Sequence, residues 1–230
     1  MFCGRHLVAA KLRRSNIDAS AGAVEEVARI VAQIRARWPR VKIVLRADSG
    51  FARDGLMAWC EANAVDYVFG LARNERLVGA IADDLAAAEL ESLAQGRPAR
   101  HFADFAWRTL DSWSRARRVV AKAEHLAQGP NPRFVVTSLP ADAIAARTLY
   151  EDVYCARGEV ENRIKEQQLD LFADRTSAAT MRAYQLRLWL ASFAYVLLEA
   201  VRRIKIAMAS AFPYQTEYHL AYLYLKRAAF

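Results

Sequence analysis

The chain has 230 residues, of which 54% are hydrophobic and only nine are Gly and six Pro, so it can bury a sizeable core and is not disordered. Lys and Arg number 33 against 25 Asp and Glu, and the net charge of +8 favours polyanionic partners such as nucleic acid without specifying one. Three widely spaced Cys and no clustered His indicate neither a disulfide framework nor a zinc site. The most apolar run, 188–198, is too short to cross a bilayer, and we expect a cytoplasmic protein with no membrane role.

The first third of the chain predicts strands that alternate with helices. The predicted elements are a strand at 2–11, a helix at 21–38, a strand at 41–47, a helix at 53–63 and a strand at 66–72. The expected apolar face of the first helix is Val24, Val27, Val31, Ile34 and Trp38. This order implies an α/β sheet with at least one parallel pair of strands. Asp48 follows the second strand, and functional groups of such sheets collect at the carboxyl ends of strands.

The rest of the chain predicts a helix, a β-rich stretch and then long helices. The expected elements are a helix at 76–92, strand-like runs around 102–110, 117–123 and 133–139, and helical segments at about 142–165, 177–209 and 214–224. The sequence has no internal repeat and no linker-like segment, so we expect one domain with an insertion rather than two tethered domains.

Five residues of one predicted helix share a face. Tyr154, Arg157, Glu161, Lys165 and Gln168 are spaced by 3, 4, 4 and 3 residues, which places them in one stripe of an α-helix. Taken alone, the stripe is typical of a solvated face with ion pairs worth a few tenths of a kcal/mol each. Asp-Ser-Gly after a strand is likewise typical of a turn. The residues by themselves leave both interpretations open.

In combination, these residues resemble the DDE transposases of bacterial insertion sequences. The resemblance rests on a Tyr-x2-Arg-x3-Glu-x6-Lys signature, which matches at Tyr154, Arg157 and Glu161. Three further stretches strengthen it: 46–51, 67–74 and 166–177. The sequence differs from the signature at the lysine position, which is occupied by Gln168. Lys165 lies about one turn earlier on the same face.

The resemblance implies an α/β fold with a ribonuclease H-like mixed sheet flanked by helices. A β-rich insertion at about 76–140 would precede the helix that carries the catalytic Glu. Residues 1–205 would form a partial catalytic domain, and 206–230 a divergent helical tail. Asp48 then corresponds to the second acid of the DDE set and Glu161 to the third.

The same resemblance implies a cofactor and partners. Two Mg²⁺ or Mn²⁺ ions would be held by Asp48 and Glu161, because such ions prefer hard oxygen ligands and activate water or a DNA 3′-hydroxyl. The side chains expected near DNA phosphates are Tyr154, Arg157, Lys165 and Gln168. The expected partners are double-stranded DNA, as terminal repeats and as target, and a second copy of the chain or an intact transposase.

The family's first aspartate lies on the first strand of the sheet and has no counterpart before Asp48. Asp18 is expected in a loop ahead of a helix, and Glu25 and Glu26 on that helix. We therefore expect an N-terminally truncated transposase that is weakly active or inactive, since a two-metal site that lacks one of its three acids loses most of its catalysis.

Two other functions fit the sequence. A remnant that binds DNA or an intact transposase without chemistry would use the basic segment 97–122, including Arg117 and Arg118, to contact phosphates. The aromatics of that segment could instead form a local core, with the arginines on its solvated face. An unrelated α/β nuclease would use the same metal chemistry but would not need paired DNA ends of specific sequence.

Overall fold

The computed structural model describes residues 1–14, 16–18, 20–155, 158–174 and 178–211, without the side chains of 158–160 and 207–211. The chain divides into two compact units. The sheet unit is Arg14–Gly158, and the long-helix unit is Met1–Arg13 with Glu159–Phe230. Most of the tail predicted at 206–230 lies outside the described residues.

The described residues form eight strands and seven α-helices. In chain order they are β1 (Phe2–Cys3), β2 (His6–Leu7), α1 (Ala23–Arg37), β3 (Val44–Ala47), α2 (Asp54–Ala62), β4 (Asp66–Leu71), α3 (Glu75–Gly79), α4 (Ala82–Gln95), β5 (Ala99–Trp107), β6 (Arg117–Leu126), β7 (Gly129–Pro130), β8 (Arg133–Thr137), α5 (Ala146–Thr148), α6 (Gly158–Lys165) and α7 (Met181–Ala211). Two π-helical segments, Leu149–Tyr154 and Glu166–Asp170, follow α5 and α6.

One mixed sheet forms the centre of the sheet unit. Its strands lie in the order β3, β4, β8, β6 and β5, with β7 paired to the end of β6. β3 and β4 are parallel, with Ala47 opposite Phe69, and the other pairs are antiparallel. Within the described residues β3 has β4 as its only strand partner, and it therefore forms an edge of the sheet.

Apolar side chains on alternating strand positions pack the two faces of this sheet. The core of one face includes Val27, Leu56, Met57, Tyr67, Phe69 and Val136. The core of the other face includes Val68, Val120, Val135, Leu149 and Tyr150. Each fully buried side chain of this size contributes about 1.5–3 kcal/mol relative to an exposed one. Burial on both faces explains why the strands are rich in valine rather than alternating between apolar and polar residues.

Several expectations for this unit are confirmed. The helix at 53–63, the strand at 66–72 and the parallel pair are present, and the strand at 41–47 is present in its second half. Two details are wrong. The helix expected at 76–92 is interrupted between α3 and α4, and Trp38 is 61% exposed because it caps α1 where the chain turns. The β-rich stretch supplies β5, β6 and β8, which continue the same sheet as β3 and β4.

The long-helix unit is organised around α7. β1 and β2 form an antiparallel hairpin that turns at Gly4, with φ 56°, so the single strand expected at 2–11 is wrong. Tyr195 on α7 is buried, lies edge-on to Phe2 at 5.5 Å between ring centroids, and donates a hydrogen bond to the Arg5 carbonyl at 3.0 Å. None of the helices in the described residues is long and apolar enough to cross a membrane.

Candidate active site

Asp48 lies at the carboxyl end of β3, where the chain leaves the sheet. Its side chain is exposed, and Oδ1 accepts a hydrogen bond from the Gly50 amide at 2.9 Å, which caps the 3₁₀ turn Ser49–Phe51. The turn-forming interpretation of Asp48 is therefore confirmed. Its second oxygen, Oδ2, has no hydrogen-bond partner in the described part of the chain. The carboxylate can thus cap the turn with one oxygen and bind a cation with the other.

Gly70 on β4 permits close packing against the Asp48 turn. A Cβ at this position would lie 2.5 Å from Tyr154 Oη, 3.1 Å from the Ser49 amide nitrogen and 3.4 Å from the Asp48 carbonyl carbon. These separations are too short for any side chain, so only glycine fits without a shift of its neighbours. The Tyr154 hydroxyl and the Asp48 turn consequently lie against the same point of β4.

The segment that carries Tyr154 is anchored to the strand that carries Asp48. Arg46 on β3 donates a hydrogen bond to the Val153 carbonyl at 2.8 Å. The Tyr154 ring packs at a tilt against Tyr150, with 5.6 Å between their centroids. Because Tyr150 is buried in the core of the sheet, these contacts hold Tyr154 in place beside Asp48.

A cavity of about 330 Å³ opens beside the Asp48 turn. Ser49, Gly70 and Tyr154 line it together with Arg73, which follows β4, and Arg133, which begins β8. Gly70 and Arg73 lie in the family-like stretch 67–74, but no residue of that stretch was predicted to be functional, and Arg133 lies in none of the quoted motifs. The register of β4 and β8 brings the three together. A larger cavity of about 550 Å³ elsewhere in the sheet unit includes no residue of the Asp48 turn.

Glu161 belongs to the long-helix unit and is exposed on α6. Ion pairs hold α6 and the π-helical segment after it against α7. Arg163 lies 3.8 Å from Glu199 Oε1, and Arg202 binds Glu199 at 2.7 Å and also pairs with Glu166. The Glu199 side chain is only 8% exposed, so these pairs are screened less than surface pairs and restrain the helix that presents Glu161.

The stripe of five residues predicted from helical spacing is divided between the two units. Tyr154 lies in the sheet unit, Lys165 and Gln168 are exposed in the long-helix unit, and Arg157 lies outside the described residues. The chain is π-helical at both ends of the stripe, so the rotation of 100° per residue that the prediction assumed does not apply there. Contacts of these side chains with DNA phosphates stay predictions.

Arg117 and Arg118, predicted to contact DNA phosphates, are paired within the sheet unit. The Arg117 side chain is 2% exposed and donates to Glu61 Oε1 at 2.8 Å and Asp54 Oδ1 at 2.7 Å. Arg118 is 12% exposed, binds Asp104 at 2.6 Å and donates to two backbone carbonyls. A DNA contact by either residue stays a prediction, and this internal pairing argues against it.

The carboxylates around Arg117 are held in their ionised form. Burial by itself raises the pKa of Glu61, but hydrogen bonds from Arg117, Tyr67 and Arg115 outweigh it and lower that pKa below its ordinary value. Burial likewise raises the pKa of Asp54, and hydrogen bonds from Ser114 and Arg117 lower it overall. These acids therefore stabilise the fold and are not free ligands for a metal ion.

The donor chemistry of Asp48 and Glu161 fits a hard divalent cation, because each is an exposed carboxylate. Across the described ranges, no three His, Cys, Asp or Glu side chains come together as they would around one ion. Asp48 can supply one carboxylate ligand to such an ion.

Comparison with known proteins identifies the family of this domain. Residues 1–216 match the family model described as transposase DDE domain, group 1, and the matched range includes both Asp48 and Glu161. Comparison with curated proteins gives no match. DDE transposases act on DNA and generally use divalent metal ions. Since the match covers almost the whole chain, this protein belongs to the group 1 family of transposase DDE domains.

Proposed function

We propose that this chain is a ribonuclease H-like transposase catalytic domain that binds insertion-sequence ends and performs metal-dependent DNA strand cleavage and transfer. Membership of the family supports the class of reaction. The observation that carries the residue assignment is the Asp48 carboxylate. It is exposed at the carboxyl end of a parallel strand, has one oxygen without a hydrogen-bond partner in the described residues, and lies beside a cavity lined by two arginines.

The roles of the residues follow from their chemistry. Asp48 and Glu161 are the metal-holding carboxylates, and the Gly50 amide binds Oδ1 of Asp48, which leaves Oδ2 available to a cation. Mg²⁺ or Mn²⁺ held there would activate water or a DNA 3′-hydroxyl and stabilise the leaving oxygen. In cleavage, water bonds to phosphorus as the bond to the 3′-oxygen breaks, and in transfer that freed 3′-hydroxyl displaces a 3′-oxygen of the target strand.

Other residues of the signature bind rather than react. The Tyr154 hydroxyl donates a hydrogen bond to a DNA phosphate, since it reaches the Asp48 turn across Gly70. Arg157, Lys165 and Gln168 contact DNA phosphates, with Gln168 supplying a neutral contact where the signature has a cation. A homodimer on double-stranded DNA completes the proposed assembly.

We propose further that the chain by itself is a weak catalyst. Asp48 and Glu161 supply two of the three acids of a DDE set, and the described residues hold no cluster of three carboxylates. The exposed Arg73 and Arg133 beside Asp48 support a second candidate function, in which the chain binds DNA or an intact transposase without chemistry. Cleavage and binding must therefore be measured separately.

Metal binding is the first test. Calorimetric titration with Mn²⁺ compares the unsubstituted chain with Asp48→Asn and Glu161→Gln. Matched controls are Asp142→Asn in the sheet unit and Asp170→Asn in the long-helix unit, because both acids are exposed and lie outside the proposed site. We expect the two site variants to lose most of the binding and the controls to keep it. Equal Mn²⁺ binding in all five proteins would show that Asp48 and Glu161 do not hold the metal ion.

DNA cleavage is the second test. A labelled duplex that carries the terminal repeats flanking the gene is incubated with Mg²⁺ or Mn²⁺ and the same five proteins. Slow cleavage that either site substitution abolishes supports the transposase mechanism. Specific binding of the repeats with no cleavage by any of the proteins supports the non-catalytic candidate.

A further inference from the structure

Two arginines beside the Asp48 turn have no carboxylate partner among the residues that the structure describes. Arg73 and Arg133 are both exposed and line the 330 Å³ cavity, and neither forms an ion pair in the part of the chain that the structure describes. Three other arginines of the same sheet are neutralised, because Arg100, Arg117 and Arg118 each pair with at least one Asp or Glu. Two uncompensated cations at the mouth of one cavity attract an anion.

The chemistry of the cavity selects the kind of anion. Guanidinium groups match phosphate oxygens with paired N–H donors, and the hydroxyls of Tyr150 and Tyr154 on the cavity wall can add neutral donors. The Asp48 carboxylate itself would repel an anion unless a cation were bound between them. The cavity therefore suits a phosphate that lies next to a metal-bound phosphodiester rather than at the metal itself.

The position of the cavity relates this anion to the reaction. Gly70 forms part of the cavity wall, and a Cβ added to it would lie 3.1 Å from the amide nitrogen of Ser49, the residue after Asp48. Successive phosphates of one DNA strand are about 3.4 Å apart along the helix axis, so a strand with one phosphate at Asp48 carries neighbouring phosphates beside the adjoining cavity. An anion held there is thus in reach of the same strand.

We propose that Arg73 and Arg133 bind a phosphate of the DNA strand next to the phosphodiester at Asp48, and so position that strand for reaction. This inference rests on the proposed function for its substrate but not for its test, which measures DNA binding without chemistry. Both arginines act as positioning residues, since they touch DNA away from the reacting atoms.

The test uses the full chain, a fluorescently labelled duplex carrying the terminal repeats, and EDTA so that no cleavage occurs. Anisotropy titrations over a series of salt concentrations compare the unsubstituted chain with Arg73→Gln, Arg133→Gln and the double variant. Arg40→Gln is the matched control, because Arg40 is exposed in the same unit and lies outside both the cavity and the basic segment 97–122. Circular dichroism and melting curves confirm that each variant is folded.

Because the two arginines share one phosphate, we expect the double variant to lower the magnitude of the salt slope by about 0.9, equivalent to roughly eightfold weaker binding near about 0.1 M salt. Each single substitution should lose part of that slope. Inorganic phosphate should compete with DNA less well in the double variant. If the double variant had the same salt slope as Arg40→Gln, the inference would be overturned even if the chain cleaves DNA. Arginine-dependent binding by a chain that never cleaves DNA would support the inference while the catalytic proposal fails, and no DNA binding at all would overturn both.

Discussion

Replacing Arg117 with Met is expected to destabilise the sheet unit strongly. The substitution keeps most of the aliphatic length but removes a buried cation that donates to both Asp54 and Glu61. Removing one partner of a buried ion pair costs about 3–5 kcal/mol, because the remaining charge is left buried without compensation. The two carboxylates are 27% and 16% exposed, so water offsets part of this loss and we expect about 3 kcal/mol, at the lower end of that range.

Arg115 provides a matched control for this prediction. It also binds Glu61, at 3.0 Å, but its side chain is 62% exposed. Arg115→Met is therefore expected to cost less than about 1 kcal/mol. Urea unfolding followed by tryptophan fluorescence measures both variants, since the buried Trp113 ring lies 5.6 Å from the Arg117 guanidinium and reports on this site.

Two results would refute this reasoning. Equal, small losses of stability in both variants would show that burial does not set the strength of the Glu61 pairs. A stable Arg117→Met chain with weaker DNA binding would instead place Arg117 at the DNA surface, as the sequence first predicted.

Three further predictions concern the same structure. The sheet unit should lose stability as the pH falls below about 4. The pKa values of Asp54 and Glu61 are lowered in the folded chain, so the unfolded chain takes up protons first. Urea unfolding at several pH values measures the loss and should show none between about pH 5 and 7. Gly70→Ala should lower the free energy of unfolding by about 1–3 kcal/mol, since the added Cβ would lie 2.5 Å from Tyr154 Oη. In a double-mutant cycle, Tyr154→Phe should recover part of that loss, and additive effects of the two substitutions would contradict the contact. Glu199→Gln should speed amide hydrogen exchange in α6, and exchange that is equally fast in the sheet unit would show a global rather than a local effect.

Local features of the sequence determined the elements around Asp48. The helix at 53–63 and the strand at 66–72 follow from periodicity and turn residues within a few positions, and the structure confirms both. The parallel pairing of β3 and β4 follows because a helix connects them. Asp48 lies at the end of β3 for an equally local reason, since its own side chain caps the turn that ends the strand. The family is also readable from the sequence, because its motifs are short and contiguous.

The surroundings of Asp48 and the role of Arg117 were decided only by the tertiary structure. Gly70, Arg73 and Arg133 meet at one cavity because β8 pairs with β4, and that register depends on packing across both faces of the sheet. Arg117 stands in a basic run that favoured DNA binding, yet its partners are carboxylates 56 and 63 residues earlier in the chain. Local periodicity carries no information about such distant pairs. Such pairs form because folding removes these charges from water, and a buried charge is stable only beside an opposite charge or a hydrogen-bond partner, which the pairing of distant strands and helices supplies.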